Sequence, residues 1–86
     1  MPTDFKKLRV YFLASELSDE IKSITLTFPK DERYELASQL SRAATSIPTN
    51  ISEGCGRKTF PDFCNFIDIA IGSSKEVESL LLNAKK

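Results

Sequence analysis

The chain has 86 residues with 12 basic and 12 acidic side chains, so its formal net charge is zero. This length is one domain with a thin core, and 41% hydrophobic with 28% charged residues excludes a disordered chain. Zero net charge argues against strong nonspecific attraction to nucleic acid or anionic membrane, and leaves only a local basic patch for such a role. Histidine is absent, and the cysteines are Cys55 and Cys64. Cys and His therefore cannot supply the four ligands of a structural zinc site, so no metal or cofactor is expected. With no sign of secretion, the two cysteines read as reduced thiols of a cytoplasmic protein. The opening "MPTDFKKLRVYFLASELSDE" returns to charge too soon for a signal peptide. No segment approaches the roughly 20 apolar residues of a membrane span.

The first predicted helix covers about residues 4–27, with Thr3 or Asp4 as its cap. Val10, Ala14, Leu17, Ile21, Ile24 and Phe28 step by four and three, a heptad seam, and Phe5, Leu8 and Phe12 widen it. Pro29 ends the helix, because the residue before a proline is pushed out of the α region.

The second predicted helix covers 30–55, with Asp31, Glu32 and Glu35 in its first turns, where the helix dipole favours acids. Leu36, Leu40, Ala43, Ile47 and Ile51 form its core stripe. Pro48 removes one backbone hydrogen bond and crowds the carbonyl of Ala44. The apolar period survives it, which predicts a helix kinked at Pro48 but continuous, ending at Gly54 or Gly56.

The third predicted helix covers 60–84, capped by Thr59, with Pro61 in its first turn and Asp62 placed for a capping box. Phe63, Ile67, Ala70, Ser74, Val77, Leu81 and Ala84 continue the four-three stepping. Gly72 costs about 1 kcal/mol relative to alanine in a helix, which suggests a place where another backbone comes close. Short links between long helices make antiparallel neighbours. The expected fold is all-α, an antiparallel up-down helical bundle.

A polar stripe runs beside the core stripe of the second helix: Gln39, Arg42, Ser46, Asn50, Glu53 and Arg57. With the following turn centred on Arg57 and Lys58, Arg42 faces Ser73, Gln39 faces Glu76, and Gly72 lies beside Arg42 and Ala43. Gln39 and Arg42 are then expected to contact Glu76 and Ser73. The stripe reads either as a buried network that fixes helix register, the preferred reading, or as a ligand or partner site. Ser46, Thr49 or Asn50 could also serve the groups freed by Pro48.

The segments "FPKDERYELASQLSRAATSIPTNISEGCGR" and "FCNFIDIAIGSSKE" carry a pattern that runs from Phe-Pro-x-x-Glu through Q-x-x-RA-x-x-S-I-P-x-N-I-x-E-G to A-x-G-S-x-x-E. In this the chain resembles the small bacterial four-helix-bundle proteins encoded by intervening sequences in large-subunit ribosomal RNA genes, a family similar to accessory proteins of diversity-generating retroelements. Ser41 stands where the family usually has the first of two arginines, and Ser74 where it usually has an apolar residue. The family continues into a fourth helix; this chain stops at "LLLNAKK". That predicts apolar surface left uncovered on the first and third helices, either in a short member that completes its bundle by self-association or in a fragment. The resemblance implies a homo-oligomer, often a ring-shaped pentamer, and for some members contact with structured RNA and a protein partner through basic surfaces. The candidates here are Arg57 and Lys58, which a loop would present freely, with Lys6, Lys7, Arg9, Lys85 and Lys86. The alternative is a protein-interaction oligomer with no nucleic-acid role. An enzyme is not expected: there is no glycine-rich phosphate loop or nucleophile elbow, and the "GCG" around Cys55 lacks a histidine base.

Overall fold

The computed structural model describes residues 3–84, and for residues 30–32 the backbone alone. Lys85 and Lys86 lie outside the described residues. A short 3-10 helix, Phe5–Lys7, precedes three α-helices: α1 Arg9–Thr25, α2 Lys30–Cys55 and α3 Phe60–Ala84. Among the described residues there is no strand. Residue numbers run oppositely across each interface: Thr3 meets Cys55 while Ser18 meets Thr45, and Gly54 meets Phe66 while Ser46 meets Ser73, so neighbours are antiparallel.

The N-terminal segment departs from the single helix expected over 4–27. The Asp4 carboxylate accepts the Lys6 N–H at 3.1 Å and caps the 3-10 turn. Leu8 is then extended, with φ −87° and ψ 122°, and α1 starts at Arg9. This break lets Phe5 fold against Tyr11, their rings edge to face at 4.8 Å. It also brings the Thr3 N–H to the Cys55 carbonyl at 2.8 Å, satisfying an acceptor that the end of α2 would otherwise leave open.

α2 continues through Pro48. Hydroxyl and amide side chains bond carbonyls around the proline: Thr45 to Ser41, Thr49 to Thr45 and Asn50 to Ser46, at 2.8, 2.9 and 2.8 Å. None of these reaches the Ala44 carbonyl itself. Gly56 is the C-cap at φ −86°, so the helix ends without a left-handed glycine. Thr59 caps α3, its hydroxyl accepting the Asp62 N–H at 3.2 Å.

α2 is the centre of the fold. It packs against both α1 and α3, and among the described residues these two do not pack on each other. The buried core is mostly its stripe: Leu36, Leu40, Ala43, Ala44, Ile47, Ile51 and Cys55. α1 adds Ala14 and Ile21, and α3 adds Ala70 and Val77. The result is an elongated slab of 45 × 20 × 16 Å.

One neighbour covers only part of an apolar face, and the heptad seam of α1 is divided accordingly. Ala14 and Ile21 are buried and Phe28 packs on the core, but Val10, Leu17 and Ile24 stay exposed. Val10, Leu13, Leu17 and Ile24 share one side of α1, spaced three, four and seven residues apart. On α3, Phe60, Ile69, Ile71 and Leu82 are also exposed. Ser18, absent from the expected seam, is buried between Ala14 and Ile21, its hydroxyl 3.5 Å from that of Thr45.

The glycine that permits close approach is Gly54, not Gly72. A β-carbon on Gly54 would lie 3.0 Å from the Phe66 Cβ and 3.3 Å from the Phe63 carbonyl oxygen, whereas one on Gly72 would meet nothing within 4 Å. Gly72 is exposed, so no backbone within the chain explains it. Gly54→Ala should therefore destabilise the fold by about 1–3 kcal/mol, because backbone must yield. Gly72→Ala should stabilise it by up to about 1 kcal/mol. Urea unfolding of the two variants checks both signs.

Candidate nucleic-acid interface and polar stripe

The hydrogen bond from Thr3 to Cys55 joins the start of the chain to the end of α2. It places Lys6, Lys7 and the first residue of α1, Arg9, at the same end of the bundle as Arg57 and Lys58. All five are exposed. Asp4, Glu53 and Asp62 belong to the same end, so the local excess of positive charge is modest.

Arg57 is held in place rather than presented freely by the loop. Its Nη2 lies 3.7 Å from Glu53 Oε2, one helical turn back. Its guanidinium carbon lies 4.5 Å from the centre of the Phe66 ring, well inside cation–π range. Phe66 is half-buried, and its Cβ is seated against Gly54 at the end of α2. The ion pair is exposed and of small energetic weight; its effect is on orientation.

The polar stripe divides into three parts. Asn50 Nδ2 donates to the Ser46 carbonyl and to Ser46 Oγ, at 2.8 and 2.9 Å, and Ser46 Oγ meets Ser73 Oγ at 2.8 Å. Asn50, Ser46 and Ser73 are half-buried, and this chain of bonds links α2 to α3. Glu53 pairs with Arg57 further along. Gln39 and Arg42 join neither group: among the described residues, no hydrogen bond or ion pair connects them to Glu76 or Ser73. Arg42 and Glu76 are exposed. The expected polar contacts are not made there because the register differs. Ser46 meets Ser73, one turn further along α3 than a symmetric turn would place it. The contact of Phe63 and Phe66 with Gly54 fixes that register.

The family model of the 23S rRNA-intervening sequence protein matches residues 6–86. The chain belongs to this family. No curated protein matches the chain. The family's description names no reaction.

Other features of this family member were not apparent from spacing. Tyr11, Ser15, Ser18, Thr45, Thr49 and Ser52 help to line a groove of about 250 Å³ between α1 and α2 beside Pro48. Ser18 was the available clue, lying four residues after Ala14 and three before Ile21 on the buried face. A second hollow, about 470 Å³, lies at the α1–α2 turn and is lined in part by Phe28, Arg33, Tyr34 and Arg42. Both cysteines are free thiols. Burial first, and then the negative charge of Asp4, push the Cys55 thiol above its ordinary pKa, which makes it a poor nucleophile. Among the described residues no group of three or more His, Cys, Asp or Glu side chains could hold a metal ion. No helix there is long and apolar enough to cross a membrane.

Removing either end of the α2–α3 hydrogen-bond chain, by Asn50→Ala or Ser73→Ala, should cost about 1 kcal/mol. A double-mutant cycle between the two sites should show coupling of at least about 0.5 kcal/mol, carried through Ser46. Gln39→Ala and Arg42→Ala should stay within about 0.5 kcal/mol of the parent in the same urea measurements.

Proposed function

We propose that the chain is a noncatalytic helical-bundle protein that self-associates and binds structured RNA through the end carrying Lys6, Lys7, Arg9, Arg57 and Lys58. The observation that carries this reading is the Thr3–Cys55 hydrogen bond, because it gathers cations from two distant stretches of sequence into one place. Phosphate contacts supply most of the affinity of such interfaces, and their number sets the salt dependence. A patch this small binds weakly alone. Several copies in one assembly would turn it into an effective surface through avidity, which reconciles RNA binding with zero net charge. The exposed apolar side chains of α1 and α3 supply the surface for assembly. The noncatalytic part rests on a chain with no histidine and with its cysteine at position 55 buried. The setting proposed is the cytoplasm, where free thiols remain reduced.

The same apolar surface favours a second reading, a protein-interaction oligomer with no nucleic-acid role. Val10 and Leu13 are each 54% exposed and Ile71 is 53% exposed, more than scattered surface residues require.

Fluorescence anisotropy with a labelled ribosomal-RNA hairpin separates the two. The RNA reading predicts sub-micromolar binding at about 50 mM salt and a steep fall by about 200 mM. Replacing Lys58 and Lys6 by Gln should lower the salt slope by about one per cation removed. No binding at about 50 mM salt would leave the protein-interaction reading standing.

A further inference from the structure

We infer that Arg57 takes an unpaired base of the RNA by stacking, rather than gripping a phosphate; this rests on the RNA reading above. A guanidinium can meet nucleic acid in two ways. Its N–H edge binds phosphate, and its flat face stacks on a base. At Arg57 one nitrogen of that edge already has a carboxylate beside it, Nη2 lying 3.7 Å from Glu53 Oε2. A phosphate brought to that edge would meet the Glu53 charge, whereas a neutral base has no such penalty.

The flat face is prepared differently. One side lies over the Phe66 ring at 4.5 Å. The root of that side chain is packed closely on α2, since the Phe66 Cβ lies only 3.0 Å from where a β-carbon on Gly54 would be. The Arg57 side chain nevertheless keeps 45% of its surface exposed. Phe66, guanidinium and base would form a three-layer stack whose lower two layers are already assembled. Ordering the arginine beforehand removes part of the entropy cost of binding. Lys6 and Lys7, brought to the same end by Thr3, and Lys58, next in sequence, supply positive charge near the phosphates on either side of that base.

The ligand chemistry is thus an unpaired nucleobase in a loop or bulge, flanked by phosphates. A continuous duplex offers no free base face. The test compares two labelled RNAs of equal length and charge, a hairpin with an unpaired loop and a fully paired duplex. Each is titrated by anisotropy against the parent, Arg57→Lys and Phe66→Leu, after circular dichroism has shown that all three are helical. Arg57→Lys keeps the charge and removes the plane. It should weaken loop binding about tenfold, leave duplex binding within about twofold, and leave the salt slope unchanged. Phe66→Leu should weaken loop binding in the same selective way. If Arg57→Lys binds both RNAs like the parent, the stacking role is overturned and Arg57 acts only as a charge, while the RNA reading survives. If the parent binds neither RNA, the RNA reading falls and this inference falls with it.

Discussion

Everything in this fold depends on the burial of one face of α2 by two helices that do not meet. Leu40 and Ala44 are fully buried, and Ala43, Ile47, Ile51 and Cys55 nearly so, with α1 and α3 sharing the task. Small residues make this feasible. Ala14, Ala43, Ala44 and Ala70 allow the helices to approach, and Gly54 lets α3 seat two phenylalanines against the end of α2. That seat fixes the α2–α3 register. The register decides that Ser46 meets Ser73, that Asn50 can complete the chain of hydrogen bonds, and that Arg57 comes to lie over Phe66.

The same arrangement explains what is left over. In a bundle closed on all sides, every seam residue of α1 has a partner helix. Here α1 has one neighbour, and the side bearing Val10, Leu13, Leu17 and Ile24 remains open, while α3 leaves Phe60, Ile71 and Leu82 exposed. In the proposed reading these surfaces serve assembly, and the basic end serves recognition. The two roles are physically separate, since one uses the flanks of the helices and the other uses a bundle end fastened by Thr3 and Cys55.

Much of the architecture was legible in the sequence, because four-three apolar spacing is a strong signal and family motifs reinforced it. The spacing of Leu40, Ala43, Ile47 and Ile51 reads straight across Pro48, and the helix does continue there. The break at Leu8 was not legible. It depends on a carboxylate cap and on Thr3 bonding to Cys55, a contact some fifty residues away in the chain. The site was legible in composition but not in pairing. Ser46, Asn50 and Ser73 are the right residue types, yet a register estimated from a symmetric turn is off by one helical turn, and among the described residues no hydrogen bond or ion pair joins Gln39 or Arg42 to Glu76 or Ser73. The packing glycine was misplaced for a different reason: Gly72 lies two residues after the buried Ala70, about 200° around a helix of 3.6 residues per turn, and so faces solvent.

Sedimentation equilibrium of the purified chain over a micromolar concentration range tests the account most directly. If the open faces of α1 and α3 serve assembly, the measured mass will be a multiple of 9.6 kDa and will hold as the protein is diluted toward about 1 μM. A species of 9.6 kDa at every concentration, helical and unfolding cooperatively, would contradict it.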